Sequence, residues 1–168
     1  LAIWRGRMRL AGLAPLALGL GLWSAPGERP ALLIGPGARL VGVMGPEGRV
    51  IDHPRAQGFV AETWLRRDAD PADQESAAAR PGILRRAGGF GAELPHGWRL
   101  VVRHSRAVTA AELADLCRRR TLLVARHGPP VSGACTYVGA AVIAGGGAFA
   151  ATPSGPDPGL ESTAGGRC

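Results

Sequence analysis

The stretch Ala31–Asp52, ALLIGPGARLVGVMGPEGRVID, decides the fold class, because short apolar runs alternate in it with Gly-Pro turns. Apolar and β-branched runs bounded by such turns predict strands that pair with their neighbours. The runs ALLI, RLVGVM and RVID therefore predict a meander of three strands. Gly35 and Gly37 do not predict a phosphate-binding loop, because Pro36 removes a backbone donor and no helix follows.

The chain downstream of the meander adds helices and further strands. GFVAETWLRR (58–67) has helical spacing, with Phe59 and Trp64 placed to cover the sheet. VTAAELADLCRRR (108–120) predicts a second helix that begins with a Thr-Glu capping box. GFGAELPHGWRLVVRHSR predicts one or two more strands, and TLLVAR predicts a buried strand. CTYVGAAVIAGGGAFAA predicts another strand or two, with a turn at Gly145–Gly147. The sequence thus predicts an α+β domain in which two helices pack on one small mixed or antiparallel sheet.

An acid run follows the first predicted helix. Asp68, Asp70 and Asp73 have part of the spacing of a calcium loop. An EF-hand loop requires glycine at its sixth position and glutamate at its twelfth, where this chain has Asp73 and Ala79. We therefore predict a solvated connector rather than a metal site.

The N-terminal segment contains an uncharged, apolar run. Three arginines precede an uncharged run, Leu10–Pro26, which as a helix would reach about 25 Å, a little less than the hydrocarbon core of a bilayer. It is interpreted as a short membrane span with Trp4 and Trp23 near the interfaces, or as a secretory signal. A core helix of a soluble protein is the third alternative. The first two place the residues after Pro30 across the membrane.

Three regions follow from these patterns. Residues 1–29 form a basic flank and a hydrophobic, membrane-type helix. Residues 30–152 form a soluble α+β domain. Residues 153–168, rich in Pro, Gly and Ser, are predicted to be a flexible tail.

The basic residues are all arginine, and the net charge of +7 is divided as +3 over residues 1–29 and +4 over residues 30–168. The use of arginine without any lysine reflects the base composition of a GC-rich genome as well as function. The positive charge alone therefore does not establish nucleic-acid binding. The candidate contacts with nucleic acid or another anion are Arg66, Arg67, Arg118, Arg119 and Arg120. The last three have a structural alternative, because they would complement the dipole at the end of the second helix.

The three cysteines, Cys117, Cys135 and Cys168, show no zinc or redox spacing. Cys117 and Cys135 are a candidate disulfide if the domain lies in an oxidising compartment, and otherwise two small buried residues.

Catalytic patterns are absent from the sequence. The four histidines are scattered without metal-binding spacing, and no serine lies in a nucleophile elbow. GGGAFA matches part of a dinucleotide fingerprint, but Pro153 blocks the helix that such a site requires. Cys117 with a distant histidine is the one nucleophile pair that the sequence leaves open. We predict a protein that is not an enzyme, with no catalytic residue, metal ligand or cofactor.

The succession of these segments resembles a known family. WRGRMRLAGLAPLALGLGLW is followed by RPALLIGPGARLVGVMGPEGRV and FVAETWLRRDAD, and later by LADLCRRRTLLVAR. Over residues 4–150 the chain resembles the C-terminal end of alphaproteobacterial ComEC-type competence proteins, the channels that carry transforming DNA across the inner membrane. The strings within residues 4–70 are the most specific.

The resemblance implies a role that the residue patterns do not. Leu10–Trp23 would be the last membrane helix, and residues 30–150 the extramembrane region that follows it. In many members this region is a metallo-β-lactamase-like domain with an H-x-H-x-D-H motif, which this sequence lacks. We expect a fragment or truncated form of the channel protein, without catalysis, in the bacterial inner membrane with its domain on the non-cytoplasmic side. Its expected partners are the membrane, the remaining channel segments and single-stranded DNA.

Three alternatives to this function remain open. The first is a small secreted or periplasmic binding domain that is released from a signal peptide. The second is a residual metal-dependent nuclease domain. The third is a non-functional fragment, which the high Gly and Pro content keeps open.

Overall fold

A computed structural model describes residues 13–24, 29–104, 108–130 and 132–162. The predicted basic flank, the start of the hydrophobic segment, Cys168 and the end of the tail lie outside these residues. The helices are α1 Leu13–Ser24, α2 Gly58–Arg67, α3 Gln74–Ala79, α4 Ala110–Leu116 and α5 Ala140–Gly146. The strands are β1 Leu32–Ile34, β2 Val41–Gly45, β3 Gly48–Ile51, β4 Ile83–Arg86, β5 Gly89–Leu94, β6 Trp98–Arg103, β7 Thr121–Ala125, β8 Thr136–Val138, β9 Phe149–Ala151 and β10 Leu160–Ser162.

The strands form two five-stranded sheets. The first sheet has the order β10-β9-β1-β2-β3, and all its neighbours are antiparallel. The second sheet has the order β4-β5-β6-β7-β8, with antiparallel pairs up to β6 and parallel pairs from β6 to β8. The predicted α+β class and the β1–β3 meander are confirmed. The single sheet of the prediction is two sheets, because the late strands β9 and β10 join the meander while β4–β8 pair among themselves.

The two sheets pack face to face, with helices on both outer faces. The central core contains inward side chains of both sheets, such as Ile34, Val43, Leu100 and Phe149. Trp64 and Leu65 of α2 and Ala77 of α3 pack on the outer face of the first sheet. Leu113 of α4 packs on the outer face of the second sheet, against β7. Helices α2 and α4 therefore belong to opposite outer layers of a helix–sheet–sheet–helix sandwich.

The buried face of α2 differs from the predicted one. Its buried residues are Ala61, Trp64 and Leu65, whereas Phe59 is 78% exposed. The Trp64 ring lies over Gly42 of β2, where an added Cβ would come within 3.1 Å of its Cε3 atom. Because a side chain at position 42 would displace the indole, this glycine allows the helix to approach the sheet closely.

The C-terminal third contains more structure than the sequence predicts. A helix, α5, separates β8 from β9 at the position of the predicted strand and glycine turn. Residues 153–162, which the sequence predicts to be flexible, add β10 as an edge strand, with Leu160 buried against the central core. The indole Nε1 of Trp98 donates to the Gly155 carbonyl oxygen at 3.1 Å. These contacts fix residues 153–162 against the rest of the fold. Leu160 provides the buried apolar side chain that the Pro/Gly-rich composition of this segment otherwise lacks.

Helix α1, LAPLALGLGLWS, carries no charged residue. Leu13, Leu16, Leu18 and Leu20 are exposed, from 48% at Leu13 to 66% at Leu18. None of the helices in the described ranges has both the length and the apolar character needed to cross a membrane.

Candidate nucleic-acid interface

Parallel pairing of β6 with β7 brings two basic segments together. The Arg99 amide donates to the Arg120 carbonyl oxygen at 2.8 Å, and Arg120 Nη1 lies 3.5 Å from the His96 carbonyl oxygen. The side chains of these residues are exposed, as are those of Arg118 and Arg119. We call this group, His96, Arg99, Arg118, Arg119 and Arg120, the basic end of the second sheet.

The arginine triplet lies in a tight turn after α4 and not on the helix. Helix α4 ends at Leu116, and the Thr121 amide donates to the Arg118 carbonyl oxygen at 3.1 Å to close the turn. Arg120 has a φ of 55°, a left-handed conformation that is uncommon for a residue with a side chain. Arg118 turns back to the last helical turn, where its Nε donates to the Asp115 carbonyl oxygen at 3.1 Å and its Nη2 donates to Asp115 Oδ1 at 3.2 Å. The predicted complement to the helix dipole is therefore made by Arg118, while Arg119 and Arg120 extend into solvent.

A disulfide holds this turn in place. Cys117, directly before the triplet, is joined to Cys135, directly before β8, with their Cα atoms 4.9 Å apart. Cys117 is buried against Leu113 and Leu123. The turn is thus tied to β8 on one side and continues into the buried strand β7 on the other.

Charge compensation at the basic end is incomplete. Arg99 lies directly across from Glu93 on β5, and Arg118 forms an ion pair with Asp115. Within the described residues, Arg119 and Arg120 form no ion pair with a carboxylate. Two exposed guanidinium groups therefore remain available to an anion, with two further arginines beside them.

The other two candidate arginines lie in the opposite outer layer. Arg66 forms an exposed ion pair with Glu62 one helical turn away, at 3.7 Å. Arg67 lies at the C-terminal end of α2 and lines a cleft of about 630 Å³ together with Arg29. The structure therefore does not bring Arg66 and Arg67 together with the basic end of the second sheet.

The acid run after α2 forms two arginine pairs instead of the predicted solvated connector. Asp68 accepts hydrogen bonds from the fully buried Arg49, at 2.5 Å from Nε and 3.2 Å from Nη2. Asp70 accepts from Arg80 at 2.5 and 2.9 Å. Arg80 also donates to the Arg49 carbonyl oxygen at 3.0 Å. These pairs fix the segment between α2 and α3 against β3, which is a structural role.

Stability should depend on pH through Asp70. Hydrogen bonds from Arg80 hold the pKa of the Asp70 carboxyl below its ordinary value of 3.8, although burial acts in the opposite direction. Because the folded state binds this proton more weakly, the pair stabilises the fold above about pH 4, and this contribution is lost as the pH falls through the lowered pKa. We expect Asp70→Asn to lower stability at pH 7 and to weaken the loss of stability between pH 5 and 3, measured by urea unfolding. Glu62→Gln, at an exposed pair, is the control; equal pH dependence in wild type and Asp70→Asn would contradict the assignment.

The histidines form no metal centre among the described residues. His104 Nε2 lies 3.4 Å from Asp52 Oδ2, a contact that joins the ends of β6 and β3 across the two sheets. In the described ranges, no group of three or more His, Cys, Asp and Glu side chains is arranged to hold a metal ion.

Comparisons of the chain with known protein families, with curated protein sequences and with solved structures find no match.

Proposed function

We propose that this chain is the non-catalytic extramembrane portion of a ComEC-like DNA-uptake protein and that it contacts single-stranded DNA through the basic end of the second sheet. The observation that carries the proposal is the gathering of Arg99 with Arg118–Arg120 at one end of the parallel pair β6–β7. The resemblance of the sequence to ComEC-type proteins supplies the biological setting.

The chemistry of the basic end suits phosphate better than bases. Guanidinium groups bind phosphate oxygens through paired, charge-assisted hydrogen bonds. Arg119 and Arg120 are exposed at a turn, where a flexible strand can reach them without a groove of fixed width. Contacts of this kind are independent of sequence and weaken with salt. The domain would therefore hold a passing strand weakly, which is appropriate beside a channel.

The disulfide supports placing the domain on the non-cytoplasmic side. Disulfides persist in oxidising compartments such as the bacterial periplasm and are rare in the cytosol. Cys117 and Cys135 are joined in the structure. The apolar helix α1 would tether the domain to the inner membrane beside the remaining channel segments, which we propose as its partners.

Neutralising two arginines tests the DNA contact. We expect Arg119→Gln/Arg120→Gln to weaken binding of a fluorescein-labelled single-stranded oligonucleotide and to reduce the slope of log K against log salt by about 1.4, since each phosphate contact contributes about 0.7. The matched control is Arg55→Gln/Arg66→Gln, which removes the same charge from exposed ion pairs with Glu75 and Glu62. Equal losses in the two double variants would show a general charge effect and would reject the basic end as the site.

A further inference from the structure

The outer face of the first sheet is only half covered by helices. Helix α2 lies over β2 with Trp64 against Gly42, and α3 packs beside β3. The register places Leu33 of β1, Ala150 of β9 and Glu161 of β10 side by side on the same face. A cleft of about 630 Å³ opens over these strands, within the size range of ligand sites in proteins.

The charges around this cleft leave two free arginines on its rim. Arg49 and Asp68 line its base but neutralise each other through their ion pair. Arg29 and Arg67 are exposed, and in the described part of the chain neither forms an ion pair with a carboxylate. The floor is aliphatic, formed by the half-buried Leu33 and Ala150. An occupant that fits both features carries a phosphate-like anion beside a short apolar portion.

The cleft lies close to the apolar helix α1. Arg29 follows Ser24, the last residue of α1, by five positions. Five residues span at most about 18 Å, so the rim of the cleft cannot be farther than that from the end of the helix. Helix α1 carries no charged residue and is exposed from Leu13 to Gly21, which suits a lipid environment. If α1 enters the bilayer, the cleft therefore lies at the level of the headgroups or just above them.

We propose that this cleft binds an anionic phospholipid at the membrane surface, with Arg29 and Arg67 contacting the phosphate and with Leu33 and Ala150 contacting the glycerol and the first acyl carbons. The proposal rests on the membrane tether in the proposed function but not on the DNA contact. It gives the domain a fixed orientation on the bilayer, with the first sheet's outer face toward the lipid.

Nucleic acid fits the cleft less well than a lipid does. The rim offers two cations and one opposing carboxylate, Glu161, whereas a bound strand requires a row of phosphate contacts. The aromatic residues in the lining, Trp64 and Phe149, are only 8% and 1% exposed and offer no stacking surface for a base. The two basic regions therefore serve different anions on opposite layers of the sandwich.

Binding of the whole chain to vesicles tests the lipid site. Vesicles of phosphatidylcholine alone measure the insertion of α1, and vesicles with one part in three phosphatidylglycerol add the anionic headgroup. We expect wild type to prefer the anionic vesicles and Arg67→Gln to reduce that preference about fivefold, since one basic residue at an anionic surface contributes about 1 kcal/mol. Arg66→Gln is the matched control, because it removes the same charge from the neighbouring residue, which is paired with Glu62 outside the cleft.

Each outcome decides the proposal. A preference lost with Arg67→Gln and kept with Arg66→Gln supports the cleft. Equal losses in both variants, or no preference in wild type, overturn it. Binding of glycerol 3-phosphate that is lost with Arg67→Gln, without any Arg67-dependent preference for anionic vesicles, would assign the cleft to a free phosphate and overturn the lipid. Oligonucleotide binding that is lost with Arg67→Gln but kept with Arg119→Gln/Arg120→Gln would assign the cleft to nucleic acid and also overturn it. A failed DNA measurement with the Arg119/Arg120 variant leaves the vesicle result unaffected, so the two proposals can fail separately.

Discussion

Asp68→Ala is expected to lower the free energy of unfolding by about 3–5 kcal/mol, because it leaves a buried arginine without its counter-charge. Arg49 is fully buried, and its other hydrogen bonds go to the carbonyl oxygens of Gly42 and Pro30 at 3.4 and 3.2 Å. Carbonyl oxygens carry no full charge and cannot replace the carboxylate. Arginine also stays protonated under all folding conditions, so the charge cannot be removed by deprotonation. The measurement is urea unfolding at pH 7.

Two further variants separate this mechanism from a simple loss of contacts. Glu62→Ala removes an ion pair whose two side chains are each 64% exposed, and it should cost less than about 1 kcal/mol. Arg49→Met/Asp68→Leu replaces both charges by apolar groups and should recover most of the loss, because no buried charge remains. If Asp68→Ala costs no more than Glu62→Ala, Arg49 is not a buried charge that depends on Asp68.

Removing the disulfide is expected to lower the free energy of unfolding by about 3 kcal/mol. Cys117 and Cys135 are separated by 18 residues in the chain, and a closed loop of that length restricts the unfolded ensemble by about this amount. Cys117→Ser/Cys135→Ser should therefore unfold at lower urea concentration than wild type. Reductant should shift the wild-type midpoint in the same direction and leave that of the double variant unchanged.

The same variant tests whether the disulfide supports the basic end. Because Cys117 precedes Arg118 directly, loss of the bond should free the turn and weaken DNA binding even under conditions where the variant remains folded. Cys168→Ser serves as the parent for all these proteins, so that a third thiol cannot exchange. Unchanged stability on reduction would show that Cys117 and Cys135 are not joined in solution.

Local signals in the sequence predict much of the fold. The Gly-Pro turns define β1–β3, and Thr109 caps α4 as expected, accepting from the Glu112 amide at 3.2 Å. The division into two sheets is not predictable in this way. Leu32 pairs with both Val43 and Ala151, and only the first partner is close in the chain. No local pattern encodes a pairing over more than a hundred residues, so β9 and β10 could not be assigned to the meander.

The candidate site shows the same limit. The Arg118–Arg120 triplet is visible in the sequence, but Arg99 is not, because its proximity depends on the parallel register of β6 and β7. The acid run suggested a solvated connector because Arg49 lies 19 residues before Asp68. Arg49, at the start of RVID, is a charged residue in an otherwise apolar strand. Such a placement indicates that the arginine is buried with a partner of opposite charge.

The most direct test of the proposed function is the salt dependence of single-stranded DNA binding by the whole chain. With three to four phosphates neutralised by Arg99 and Arg118–Arg120, log K should fall linearly with log salt with a slope of about −2 to −3, from an affinity in the micromolar range at low salt. That result would assign the basic end of the second sheet a role in holding DNA. Absence of binding at low salt would contradict the DNA contact and leave the domain as a scaffold at the membrane.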